Sequence, residues 1–209
     1  MSASRGRLVA LEGIDGCGKS TQARILADRL GAVSTFEPGA TPLGASLRTL
    51  LLAPDGDPVA PRAEALLMAA DRAQHVTDVI APALEAGRCV VTDRYAASTL
   101  AYQGYGRGLD RTGLEALVGW ATGGLRPDLT VLFDLPVEVA ASRRHGGGGD
   151  DRMEAEGLAF LQRVADGFLE LAAERHDPWL VIDATAPVDE VAASVWDAVG
   201  VLAGPGGLP

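Results

Sequence analysis

The sequence predicts an α/β domain built on a parallel sheet with helices on both faces, and three observations point there. Five short apolar runs, at 7–12, 32–36, 88–93, 129–134 and 179–183, alternate with longer segments of helical periodicity. Runs such as RCVVTD (88–93) and LTVLFD (129–134) are apolar at consecutive positions, the pattern of strands covered on both sides. The strands also end in acidic residues, Glu12, Asp93, Asp134 and Asp183, and open parallel sheets bind ligands at the carboxyl ends of their strands. One or two of these acids are expected to be functional; for Asp134 and Asp183 a turn or cap role carries at least equal weight.

RLVALE (7–12) is the first strand and runs into the glycine loop GIDGCGKST (13–21). From Gly18 the pattern turns helical, with Ala23, Leu26, Ala27 and Leu30 on one face and Gly31 where a C-cap belongs. AVSTF (32–36) reads as the second strand, 41–53 as a helix and 54–58 as a loop. A long helical stretch covers 60–87, with Pro82 marking a kink or break. The strand at 88–93 leads into a helix at 93–105, and strands follow at 129–134 and 179–183. Pro187 suits the first turn of a last helix whose face is Val188, Val191, Val195 and Val199. The segment 143–152, RRHGGGGDDR, breaks helical sequence with four consecutive glycines and is expected to be a flexible insert. The tail 204–209 is expected to fray. No internal repeat is visible, and residues 1–209 are read as one domain.

Composition narrows the function. With 209 residues, 47% of them apolar, the chain has material for a full core. A net charge of −10 argues against general nucleic-acid binding, so any phosphate site must be local, made of placed arginines and backbone amides. Two cysteines, Cys17 and Cys89, make neither a disulfide framework nor a zinc spacing and fit a reducing compartment. No apolar run suits a signal peptide or a membrane span; a cytoplasmic protein with no membrane partner is expected. Of 18 basic residues, Lys19 is the only lysine. Its place inside the glycine loop implies that arginine does not serve there, since a slim ammonium fits between phosphates where a planar guanidinium does not.

Gly13, four residues, then Gly18-Lys19-Ser20 is the G-x-x-x-x-G-K-[ST] pattern. Its glycines let successive N–H groups turn inward onto phosphate oxygens, and the following helix adds its positive end. Nucleotide binding is therefore assigned to Gly13, Ile14, Asp15, Gly16, Cys17, Gly18, Lys19, Ser20 and Thr21, with Lys19 reaching the β- and γ-phosphates and the Ser20 hydroxyl on Mg2+. Cys17 is read as a small residue that fits. A GTP-type switch would need a second lysine in its base-reading motif, and there is none.

The stretches EGIDGCGKSTQ (12–22), EPGATPLG (37–44), EALLMAADRAQHV (64–76), VIAPALEAG (79–87), DRYAASTLAYQGYGRGL (93–109), GLRPDLTVLFDL (124–135) and 151–172 occur in order. Together they resemble the thymidylate kinase family of bacterial dTMP kinases, from about residue 7 to residue 200, and DRY…STLAYQG is the most specific part. The resemblance implies a P-loop nucleoside monophosphate kinase-like fold on a five-stranded parallel sheet, usually as a homodimer. It implies phosphoryl transfer from MgATP to dTMP, giving dTDP. Phosphoryl transfer asks for two polyanions held in line with their charge neutralised, and Arg94 stands where it would clamp the acceptor phosphate. Asp93 would hold a Mg2+-bound water. In the family the counterpart of Asp15 contacts the sugar 3′-hydroxyl. By the same resemblance Arg72, Thr99 and Gln103 bind the thymine edge, Tyr102 packs on the deoxyribose, and Glu37 and Arg48 belong to the acceptor-site wall.

Some positions depart from the family pattern. Phe36 and Ala40 stand where an arginine and a glycine are usual, and Met68 replaces the phenylalanine that stacks on thymine. A thioether orients a ring less well, so weaker or less selective dTMP binding is expected. The bacterial type takes its catalytic arginine from the glycine-rich insert, where Arg143, Arg144 and Arg152 are the candidates, acting as arginine fingers. Two alternatives stand beside this reading: a kinase of another nucleoside monophosphate on the same fold, and a non-catalytic nucleotide-binding regulatory protein.

Overall fold

In the computed structural model, which describes residues 5–54, 56–144, 156–174 and 178–202, five parallel strands form one sheet in the order β2-β3-β1-β4-β5. They are β1 (Leu8–Glu12), β2 (Val33–Phe36), β3 (Val90–Asp93), β4 (Leu129–Asp134) and β5 (Trp179–Asp183). β1 lies at the centre, in register with β3 (Leu8 opposite Val90) and with β4 (Val9 opposite Leu129). Its side chains alternate between two cores, Val9 and Leu11 on one face and Leu8 and Ala10 on the other, as the two-residue period of a strand requires. The expectation of strands buried on both faces holds for β1 and β4 but not for β2 and β5, which are half-exposed because they are the edges of the sheet.

The helices are α1 (Lys19–Leu30), α2 (Pro42–Leu52), α3 (Pro61–His75), α4 (Ala81–Glu85), α5 (Ala96–Thr99), α6 (Arg111–Thr122), α7 (Val137–Arg144), α8 (Leu158–Ala173) and α9 (Val188–Leu202). α1 buries Ala23, Leu26 and Ala27 and ends at Gly31 in the left-handed conformation, φ 60°. Thr41 caps α2, its side chain accepting from the Gly44 N–H. Among the described residues no helix is long and apolar enough to cross a membrane.

Pro82 does not break its helix. A π-helical turn, Val76–Ile80, joins α3 to α4, and the Ala81 N–H bonds the Val76 carbonyl five residues back. The wider register absorbs the N–H that proline lacks and the carbonyl its ring crowds. A second π-helical segment, Leu100–Gly106, continues α5, so the helix read at 93–105 is real but wider than an α-helix along most of its length. α8 lies close on this segment: a Cβ at Gly167 would stand 2.4 Å from the Tyr105 ring, and one at Gly106 2.7 Å from Phe160.

The face expected for α9 is correct at Val191, Val195 and Val199, which are buried, and wrong at Val188, which is 52% exposed. Val188 opens the helix, where its carbonyl takes a hydrogen bond from Gln22 Nε2 (2.9 Å) instead of its side chain entering the core. Pro187 stands one residue ahead of the helix, its carbonyl accepting from the Val191 N–H. Most of the insert expected at 143–152 and all of the tail at 204–209 lie outside the described residues; Arg143 and the backbone of Arg144 belong to α7.

Candidate active site at the carboxyl edge of the sheet

The loop between β1 and α1 holds Gly13, Gly16 and Gly18 at φ 140°, 88° and 93°. At Gly13 glycine is obligatory twice over, since a Cβ there would also lie 2.7 Å from the Phe133 carbonyl oxygen. Gly18 is the N-cap of α1 and offers no side-chain cap, so the first N–H groups of the helix are left for a ligand at the loop. Lys19 is buried, and its Nζ donates to the Ile14 carbonyl (2.8 Å) with Cys17 Sγ at 3.5 Å. The ammonium is thus folded back over the loop, inside the curve of the amides.

Ser20 Oγ donates to Asp93 Oδ2 at 2.5 Å across the gap between α1 and the end of β3. The other oxygen, Asp93 Oδ1, is buried and has no hydrogen-bond partner among the described residues. A hydroxyl beside a carboxylate with one unsatisfied oxygen is a donor set that suits a hard, oxygen-seeking divalent cation with its water shell, so the two residues expected to serve Mg2+ fit it.

Arg94, directly after β3, has φ 73° and is the non-glycine residue with positive φ among the described residues. Its guanidinium reaches back over the glycine loop, bonding the Gly13 carbonyl (3.1 Å), Ser98 Oγ (3.0 Å), Asp15 Oδ1 (2.6 Å) and Tyr102 Oη (3.0 Å). Tyr102 also donates to Asp15 Oδ2 (3.0 Å). Burial works against an ionised Asp15, but the charges of Arg94 and Lys19 outweigh it and hold the carboxyl well below the usual carboxylate range. Behind the cluster, at the end of β1, burial pushes the Glu12 carboxyl up to about 7 against the lowering effects of the Ser98 bond and the Arg94 charge.

A cavity opens beside Arg94. Of the residues expected at the acceptor site, Asp15, Glu37, Arg48, Met68, Arg72, Arg94, Thr99, Tyr102 and Gln103 all line it. α3 contributes Met68 and Arg72 at helical spacing, and α5 with its π-helical continuation contributes Thr99, Tyr102 and Gln103. Arg72 is only 2% exposed and already tied: Nε to Glu37 Oε2 (2.8 Å), one terminal nitrogen to Thr99 Oγ1 (2.7 Å), the other to the Tyr95 carbonyl (2.9 Å). Gln103 Nε2 donates to Glu64 Oε1 (2.9 Å), which orients its amide. Tyr102 packs against Phe160 and Phe168, with ring centroids 6.2 Å away in each case.

Sequence reasoning missed several members. Asp71 and Ser98 line the same cavity, and His75 props Glu37 through Nδ1 (2.9 Å). The helical spacing of Asp71 and His75 from Met68 was the available signal. Phe36, standing where a cation was expected, lies 6.0 Å from the Arg48 guanidinium, which in turn bonds the Pro38 carbonyl (2.8 Å).

The glycine loop borders two further cavities. One, of about 560 Å³, is lined by Lys19, Ser20, Asp93 and Arg143. The other lies between the loop and residues 184–188 after β5, again with Arg143, which donates to the Ala184 carbonyl (2.8 Å). The Arg144 side chain and Arg152 are outside the described residues. Asp183 is a turn residue, accepting from the N–H and hydroxyl of Thr185 (2.8 and 2.6 Å). Asp134 sits opposite it in the sheet, and burial, then the Asp183 charge, raises its carboxyl.

A family model described as thymidylate kinase matches residues 11–195. The thymidylate kinase of Synechococcus sp. (strain CC9902) is 55% identical over 197 residues, covering 89% of this chain and 93% of that one. That of Carboxydothermus hydrogenoformans is 49% identical over 205 residues, covering 96% and 98%. The crystal structure of thymidylate kinase from Ehrlichia chaffeensis superposes with a TM-score of 0.78 at 29% identity, covering 93% of this chain and 99% of that one.

Proposed function

This chain belongs to the thymidylate kinase family and phosphorylates dTMP, and we propose that it holds MgATP on the glycine loop and dTMP in the cavity beside it, passing the γ-phosphoryl group between them. One observation carries the arrangement: Asp15, Glu37, Arg48 and Arg94 line both the phosphate-loop cavity and the acceptor cavity. That shared wall is where two phosphate groups meet end to end.

Lys19 and the amides of the glycine loop neutralise the β- and γ-phosphates, and Arg94 holds the acceptor phosphate in line with them. Ser20 and Asp93 would hold Mg2+, which would neutralise charge on the donor's phosphate oxygens. Asp15, kept ionised by Arg94 and Lys19, accepts from the sugar 3′-hydroxyl. Tyr102, fixed by Arg94, Asp15 and two phenylalanine rings, packs on the deoxyribose and disfavours a 2′-hydroxyl. Arg72, Thr99 and Gln103 read the thymine edge, with Met68 against its face and Glu37 and Arg48 on the wall. Arg143, bonded beside residues 184–188 and lining the phosphate-loop cavity, serves the donor nucleotide, and the arginine finger comes from Arg143, Arg144 or Arg152. The reaction belongs in the cytoplasm, consistent with two free, buried cysteines.

A coupled assay with dTMP, dUMP, CMP and dGMP tests the acceptor. dTMP is expected to be preferred, and equal turnover with CMP would replace this reading by that of a broader kinase. Met68→Phe is expected to lower the KM for dTMP by roughly 2- to 10-fold and sharpen the preference for dTMP over dUMP, because a ring on a ring orients better than a thioether. Unchanged values would show that Met68 does not face the base. Arg143→Ala is expected to raise the KM for ATP about 5- to 20-fold with the KM for dTMP within twofold; the reverse pattern would move Arg143 to the acceptor side.

A homodimer through the helices at 60–87 and 93–105 is what their apolar character suggests, but Ala101 and Tyr102 of the second are buried in the chain's own core, so the pairing is proposed through α3 and α6, which present Leu66 (58% exposed) and Trp120 (85% exposed). Sedimentation at micromolar concentration tests it, and a monomer mass would dismiss it.

A further inference from the structure

Glu12, the last residue of β1, touches neither proposed substrate, yet it is fully buried behind the turn that carries Arg94. Its Oε1 accepts from the backbone N–H groups of Tyr95 (2.9 Å) and Ser98 (3.1 Å), and its Oε2 accepts from the Ser98 hydroxyl (2.6 Å). Ser98 Oγ accepts in turn from the Arg94 guanidinium (3.0 Å). A serine hydroxyl has one proton. Because Glu12 takes it, the lone pairs of Ser98 are left facing the guanidinium.

The backbone tells the same story. Arg94 sits at φ 73°, a conformation that a non-glycine residue keeps only when its surroundings impose it. The turn is pinned before Arg94 by its own N–H on the Leu11 carbonyl (2.9 Å) and after it by the two N–H groups on Glu12. A buried carboxylate is a costly way to fill a core position unless its acceptors are needed there.

We propose that Glu12, with Ser98 as relay, is a positioning residue that sets both the strained turn and the aim of the Arg94 guanidinium at the acceptor phosphate. This rests on the reading of Arg94 as the group that binds that phosphate.

Glu12→Gln tests it. The amide keeps the size of the side chain and one oxygen for the two N–H groups, but turns a donor toward Ser98, so the hydroxyl loses the acceptor for its proton. The expected result, by kinetics and by calorimetric titration with dTMP, is dTMP binding weakened about tenfold, with the KM for ATP within twofold. The same substitution is then made in an Arg94→Ala background, where it should change dTMP affinity less than twofold because the group it aims is gone. A tenfold loss in both backgrounds, or an equal rise in both KM values, would overturn the proposal and leave Glu12 a plain structural residue. Normal dTMP affinity in Arg94→Ala alone would instead overturn the reading of Arg94. Should Glu12→Gln fail to fold, Ser98→Ala in the same two backgrounds removes the relay and keeps the N–H bonds; its effect should likewise vanish when Arg94 is absent, and persistence would count against the proposal.

Discussion

Lys19→Arg is expected to lower kcat by about 10²- to 10³-fold while the chain stays folded and dTMP affinity stays within twofold, the size of loss seen when one charge-stabilising donor is removed from a transition state. Lys19 is 4% exposed, with its ammonium 2.8 Å from the Ile14 carbonyl and 3.5 Å from Cys17 Sγ. Three atoms of nitrogen and a flat carbon do not fit into the curve that one tetrahedral nitrogen occupies, and a guanidinium that does not fit must swing out of the amide bed. The charge is conserved in this variant, so a loss reports geometry rather than electrostatics alone. Steady-state kinetics with calorimetric dTMP titration decide the matter. An arginine variant within tenfold of the parent would mean that the place of the only lysine in the chain carries no such constraint.

Arg94→Ala is expected to weaken dTMP binding about 100-fold and to lower kcat/KM further, since the guanidinium holds the anion that attacks. It also strips Asp15 of its largest stabilising charge, so the Asp15 carboxyl moves back up toward the ordinary range. The stability effect has a second, separable part. Alanine is still held at the positive φ of position 94 by the backbone bonds to Leu11 and Glu12, but it loses the guanidinium bonds that offset the strain, whereas glycine accepts that conformation freely. Arg94→Gly should therefore be about 1 kcal/mol more stable than Arg94→Ala, with both equally poor at binding dTMP. Thermal unfolding of the pair measures this. Equal stability would mean that the turn relaxes once the side chain is gone.

Much of the molecule is visible in the sequence because it depends on local rules. The run of apolar residues before a glycine loop marks β1, the periodicity of Ala23, Leu26 and Ala27 marks α1, and Gly31 marks its end. The phosphate loop is legible for the same reason: its function lies in backbone conformations that glycine alone permits, and glycine is written in the sequence. Arg72 and Met68 fall on one face of α3 at a spacing that a helix dictates.

What escaped depends on register and on neighbours. The π-helical turns at 76–80 and 100–106 are one-residue changes in hydrogen-bond register, set by Pro82 in the first case and by close packing of α8 in the second. They leave no periodic mark. Val188 has the chemistry of a core residue and the position of a helix start, and position wins. Edge strands and central strands read alike, because strand order is a property of the sheet.

From the sequence alone one can derive an α/β chain with a phosphate loop and a single placed ammonium, since those rest on conformational preferences of individual residues. Only the folded chain could decide that Asp71 and Ser98 join, in one cavity, the nine acceptor residues that the resemblance implied, and that a carboxylate at 12 stands behind the arginine at 94. Those facts come from strands hydrogen-bonded side by side, and such pairing joins residues by distance in space, which the order of the chain does not record.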